Sequence, residues 1–162
     1  MNTGGTIMSL PKPFSSLSGE WKGSKHLYLN GESGPVKTSN ARMTIAKAAR
    51  ESFLLLVYSW KYETDPHEGL LMLGYDDKQQ LATAAWGDSW HMRKSILHCA
   101  GKIDVTGACN VLGHYQAPPG PDWGWRIVLA TRDQDAIDLV MHNISPEGQE
   151  DLAVRMALAR VG

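Results

Sequence analysis

Cysteine is scarce in this 162-residue chain: Cys99 and Cys109 are its two. They are too few for the disulfide framework of a small secreted domain, and they lack the companion ligands of a zinc site. A reduced, cytoplasmic protein is the expectation. Charge of one sign is lacking too, since 16 basic and 17 acidic residues leave a formal net charge of −1. The basic residues stand singly, so no footprint for a phosphate backbone or an anionic membrane surface is present. The longest apolar runs, 53–58 and 70–73, fall far short of the roughly 20 residues of a membrane-spanning helix. No nucleic acid, no membrane insertion and a soluble protein are therefore expected. A Gly-rich phosphate loop, a His-Glu-x-x-His pair and a Gly-x-Ser-x-Gly elbow are missing as well. The first residues have no basic segment leading into an apolar one, so 1–13 is expected to be a flexible lead-in rather than a secretory signal.

What is present is one domain, 14–162, long enough to bury roughly 70% of the surface its unfolded chain exposes. Short apolar or alternating runs separated by turn residues recur along it, the spacing of an all-β sandwich or barrel. About ten strands are expected. The first spans 20–29 and ends in Asn30-Gly31-Glu32-Ser33-Gly34-Pro35, a cluster that supplies positive φ and removes a ladder donor. Residues 53–63, rich in Phe, Val, Trp and Tyr, form the clearest strand and should be central. After a turn at Asp65-Pro66, strands 67–75 and 80–87 continue a meander across Asp76-Asp77-Lys78. Segments 95–103 and 107–115 form a hairpin, the prolines of 117–121 break the chain, and 123–131 with 136–143 form another hairpin. Two segments stay open on pattern alone. Residues 41–49 and 151–161 each combine alternation with helix-favouring composition.

The stretch 15–29 places the turn Leu17-Ser18-Gly19 before Glu20-Trp21-Lys22-Gly23, an arrangement suited to a barrel base plugged by one tryptophan. Those residues, with Glu68-Gly69-Leu70-Leu71-Met72-Leu73-Gly74-Tyr75-Asp76, Trp86-Gly87-Asp88-Ser89 and the Ser145-Pro146-Glu147-Gly148-Gln149-Glu150 turn, resemble in order and spacing a lipocalin-like bacterial barrel family of unknown function. That family is related to the nitrobindin and fatty-acid-binding-protein barrels. The resemblance covers nearly all of the chain from Leu17 onward and implies a single antiparallel up-and-down β-barrel, with a short N-terminal helical turn and with 151–161 as the closing strand. It also implies that Trp21 packs against Arg160 as a structural closure. Haem, which nitrobindin relatives hold through a histidine, is the one cofactor the resemblance brings. No histidine here stands on a matching motif, so haem is not carried over and no cofactor is expected. Arg155 replaces an acidic residue usual in the family's last strand, which would invert the charge of one cavity wall.

Ten strands leave an interior wider than the eight-stranded case, which side chains fill or which holds one small ligand. A cavity is expected, lined by Tyr58, Trp60, Met72, Trp86, His98, Arg126, His142 and Arg155, each on the less regular or more polar face of its strand. Strand parity decides the set: Ala82, Ala84 and Trp86 share one face, and a slip of one residue would exchange them for Leu81, Thr83 and Ala85. Arg126 and Arg155 carry the most weight, because an inward guanidinium demands an anionic or wet partner. His98 and Cys99 are strand neighbours facing opposite ways and cannot form a nucleophilic pair. Trp123 and Trp125 could rim the barrel mouth or cover a homodimer interface. Three functions fit: a non-enzymatic barrel binding a small apolar or amphipathic molecule, an enzyme using a pocket His or Arg for acid-base work on a hydrophobic substrate, and a barrel acting through its homodimer surface.

Overall fold

Period-2 burial runs through the chain and dictates its architecture. In β3 (Phe53–Tyr62), Leu54, Leu56, Tyr58 and Trp60 are buried while their neighbours are not, which is how a strand with one dry face reads. A computed structural model describes residues 10–162. The part of the expected lead-in up to residue 9 lies outside the described residues, and Leu10 is buried in the core. After a 3₁₀ turn at Phe14–Ser16 come β1 (Gly19–Tyr28), β2 (Val36–Ala48), β3, β4 (Asp65–Asp76), β5 (Leu81–Asp88), β6 (Leu97–Ile103), β7 (Cys109–Tyr115), β8 (Trp123–Asp133), β9 (Ala136–Ile144) and β10 (Glu150–Arg160). Each strand pairs antiparallel with its chain neighbours and β1 pairs with β10, so the ten strands close an up-and-down barrel. Closure leaves no free sheet edge. No helix among the described residues is long and apolar enough to cross a membrane.

Both ambiguous segments are strands. Residues 41–48 belong to β2, which starts earlier than expected because Val36 to Asn40 pair with Tyr28 to Ser24. In β10, Val154, Met156 and Leu158 are fully buried by alternation, so the period of two prevails over helix-favouring composition. The turn expected at Asp65-Pro66 falls two residues earlier, at Glu63 with φ +55°, and Pro66 pairs with Lys61 inside β4. Proline is tolerated there because β5 reaches only as far as Gly69, which leaves the start of β4 without a second partner.

One end of the barrel is shut. Leu10, Phe14, Leu17 and Trp21 are buried there, and the Trp21 indole donates to the Leu17 carbonyl at 3.0 Å. Trp21 and Arg160 are register partners, with the guanidinium 4.3 Å from the ring centroid. The same guanidinium donates to the carbonyls of Ser16 and Ser18, each at 2.9 Å, tying the 3₁₀ turn to the last strand. Gly23 is required where β1 meets β10, since a Cβ there would run into the Ala157 carbonyl. Arg160→Ala is expected to lower stability by about 1–2 kcal/mol, from the lost cation-π contact and charged hydrogen bonds. Urea denaturation checks it, and Arg160→Lys should recover only part, because an ammonium lacks the planar, pre-organised fork and the flat face that stacks on the indole.

Candidate functional site

The middle of the barrel is packed rather than hollow, filled by side chains such as Met43, Leu56, Leu71, Ile127, Leu139 and Met156. Space remains at the end opposite Trp21, where the alternation that buries Trp21 continues along β1 to Lys25. That lysine is 1% exposed, and Asp88, at the end of β5, is 3% exposed. Two such groups in an apolar interior require each other and a set of hydrogen bonds.

Asp88 organises everything around it. Its Oδ2 accepts from the Tyr58 hydroxyl at 2.8 Å and the Trp60 indole at 3.2 Å, and lies 3.8 Å from Lys25 Nζ. Trp86 Nε1 in turn donates to the Tyr58 oxygen at 3.0 Å. The ammonium also sits on the face of Trp60, 3.2 Å from the ring centroid, a cation-π contact in a dry setting. Oδ1 accepts from the backbone N–H groups of Trp90 at 2.9 Å and His91 at 3.1 Å, an Asx-type turn that folds residues 89–96 across the barrel mouth. It also faces His91 Nδ1 at 3.3 Å.

The charges follow from this geometry. Burial works to raise the Asp88 carboxyl, but the His91 hydrogen bond, the Lys25 charge and the backbone donors hold it well below the usual carboxylate range. Burial lowers the Lys25 amine to about 7, against the pull of Asp88. His91 is lowered by burial despite its Asp88 contact, and Tyr58 is raised by burial and by the nearby carboxylate. A carboxylate can only accept, so neutral His91 carries its proton on Nδ1 and presents the Nε2 lone pair away from Asp88. Cys99 and Cys109 are pushed up by burial to about 11 and about 12, with Asp104 adding to the second. Both are protonated thiols without nucleophilic character.

Two cavities flank His91 and Trp125. One, of about 190 Å³, is lined by Trp86, Trp90, His91, Met92, Tyr115 and Trp125. The other, of about 280 Å³, lies toward the strand ends and includes Leu27, Trp123 and Asn143. Trp86 and Trp125 stack at 5.2 Å with 11° between their planes, and the His91 ring is 5.4 Å from Trp125. Trp125 Nε1 is buried with no acceptor among the described residues. A concavity of about 490 Å³ over β2–β4 is a surface groove with Asn40, Arg42 and Glu68 in its walls, outside the barrel.

Of the eight lining residues expected from sequence, the structure brings together Tyr58, Trp60 and Trp86. Met72 is 41% exposed and shares the outer face with Val57 and Leu70. His98 and Arg155 are exposed on the outer face, because Leu97, Cys99, Val154 and Met156 take the inside. Arg126 lies outside between inward Trp125 and Ile127, paired with Glu150 at 2.7 Å and Asn110 at 3.0 Å. His142 is its register partner on the same face. The expected inward guanidinium and the inverted cavity wall are thus both corrected by parity. Lys25, Asp88, His91, Tyr115 and Trp125 were not among the expected lining residues. Lys25 was legible, four residues along the strand from Trp21 and on its face, and Asp88 likewise from Trp86. His91 sits in a loop without period and offered no such signal.

A family described as Protein of unknown function (DUF1579) matches residues 12–160. The chain belongs to DUF1579. Among curated proteins none matches it significantly. In this DUF1579 protein the chamber does not fit haem, the cofactor of the nitrobindin relatives. His91 is the imidazole at the chamber, whose volume of about 190 Å³ falls below the roughly 300–1,000 Å³ of pockets for drug-sized ligands.

Proposed function

We propose that this barrel, of lipocalin or calycin type, binds a small apolar or amphipathic molecule in the aromatic chamber at its open end. The observation that carries the reading is the chamber itself, about 190 Å³ walled by the rings of Trp86, Trp90, Tyr115 and Trp125 with His91 at its side. An apolar pocket with a few convergent polar groups is the usual form of a small-molecule site. The cytoplasmic setting belongs to the same proposal and is supported by two buried, unpaired thiols.

Small aromatics titrated into the protein are expected to change tryptophan emission and to raise the melting temperature. A ligand at a hundredfold excess over its Kd stabilises by about 2.7 kcal/mol, or roughly 5–10 °C for a domain of this size. Long-chain fatty acids and haem should leave both signals unmoved. The reading is lost if no class of small aromatic moves either signal.

The enzyme reading draws support from the Asp88–His91 pair, since a carboxylate orienting an imidazole is how a general base is prepared. Turnover of an aryl ester that disappears in His91→Gln would move the function to that class.

A further inference from the structure

We infer that the outer face of β2, β3 and β4 is a self-association surface, whose partner is a second copy of this chain related by a two-fold axis along β3. The surface lies outside the barrel and is independent of the chamber.

This face lacks charge where charge is expected. Three successive register rows cross β2, β3 and β4, the first being Thr44, Val57 and Leu70 and the second Ala46, Leu55 and Met72. No outward side chain in the three rows is ionisable. Val57, Leu70 and Met72 are nonetheless 44%, 43% and 41% exposed. Elsewhere the outer face is charged, as at Glu20 and Lys22 on β1, Arg126 on β8 and Asp138 on β9. Depletion of charge around exposed apolar side chains distinguishes the core of an interface from a solvated wall.

The next row identifies the partner. It holds Arg42 on β2, Ser59 on β3 and Glu68 on β4. Both charged side chains are exposed, and neither is in an ion pair among the described residues. An acidic or a basic partner would answer one of them and oppose the other. A second copy answers both, because a two-fold axis along β3 sets Arg42 of each copy against Glu68 of the other. The same rotation sets Thr44 against Leu70, Ala46 against Met72 and Val57 against itself, which makes the interface isologous. Lys61, one row farther out on β3, falls at the margin, where a lysine turns its ammonium to water. Three strands about 14 Å across and four rows about 27 Å long give roughly 400 Å² per copy. A pair then buries about 800 Å², below the roughly 1,200 Å² of stable interfaces, so the dimer is a weak, reversible one.

Sedimentation velocity of the full-length protein tests this, across concentrations from about 10 µM to about 1 mM that bracket a Kd on the order of 100 µM. The weight-average sedimentation coefficient should rise over that range. Leu70→Glu should weaken association by more than about tenfold, and Arg42→Glu or Glu68→Arg by about tenfold each, since either reversal sets like charges face to face twice. An equimolar mixture of Arg42→Glu and Glu68→Arg should associate again, because each variant then meets its opposite at both positions. The mixture should stay monomeric when both proteins also carry Leu70→Glu. Arg42 and Glu68 are exposed and their replacement leaves the core untouched, so the charge variants decide even where Leu70→Glu fails to fold. A wild type that remains monomeric at the highest concentration overturns the proposal. So do charge variants that dimerise as tightly as the wild type, or a mixture that associates no better than its components.

Discussion

Asp88→Ala is expected to lower the unfolding free energy by about 3–5 kcal/mol, the cost of removing one partner from a buried ion pair. The loss has several sources that act together. Lys25, 1% exposed, would lose its counter-charge and be left as a buried amine that must give up its proton in order to stay inside. The Tyr58 hydroxyl, the Trp60 indole and the backbone N–H groups of Trp90 and His91 would all lose their acceptor. Each unsatisfied buried donor costs on the order of 1–3 kcal/mol before relaxation, so the loss cannot be small unless the mouth loop opens to water. Adding Lys25→Met to the Asp88→Ala protein should recover part of the stability by removing the unpaired buried amine. Urea denaturation of both single variants and the double completes the cycle. A cost below about 1 kcal/mol for Asp88→Ala, or no recovery in the double variant, would show that the pair does not hold this end together.

The same carboxylate links stability to the site. Only an ionised Asp88 requires the proton of neutral His91 to sit on Nδ1, and only that tautomer leaves Nε2 as an acceptor for a ligand. Lys25 contributes indirectly, since its charge helps keep Asp88 ionised. The polar cluster is therefore a support beneath the aromatic chamber, with His91 and Trp86 belonging to both.

The architecture was legible because it depends on a period of two that survives local exceptions. About ten strands follow from alternation and turn residues, their closure into one antiparallel barrel came through the resemblance, and the ambiguity at 151–161 was resolved by three buried residues two apart, Val154, Met156 and Leu158. The Trp21–Arg160 contact came through a resemblance, because nothing in a period says which side chain meets the last strand. The site was less legible, for a physical reason. Looking for polar residues inside placed Arg126, Arg155 and His98 in the cavity, whereas this interior is filled by aromatic and aliphatic side chains that leave arginine to pair on the surface, as Arg126 does with Glu150. Counting in twos from Trp21 and Trp86 would have delivered Lys25 and Asp88. His91 and Trp90 reach the chamber only because Asp88 folds the mouth loop back through hydrogen bonds to their N–H groups, and a tertiary contact of that kind leaves no mark in a single sequence.

Raising the pH from 7 to 9 is expected to stabilise the wild type relative to Lys25→Met by about 2 kcal/mol. In the folded protein, burial lowers the Lys25 amine to about 7; in the unfolded chain it titrates near 10.4. Between those values the unfolded state holds a proton that the folded state has given up, so stability rises with pH by up to about 1.4 kcal/mol per unit. Below pH 7 both states are protonated and this contribution is flat. Other groups bend the absolute curve. The thiols of Cys99 and Cys109 are raised in the fold, so their unfolded ionisation opposes the rise from about pH 8.5 upward. Tyr58, raised as well, adds to that opposition from about pH 10. His91 and Asp88 are lowered, so their contributions are complete above the unfolded values and decline only toward acid. The comparison with Lys25→Met cancels the thiols, which are common to both proteins, and isolates the lysine. Thermal or urea unfolding of the two proteins at pH 7, 8 and 9 reads the difference directly. A difference that stays constant across this range would mean that Lys25 keeps its full charge beside Asp88 and Trp60, with the ion pair and the ring together outweighing burial.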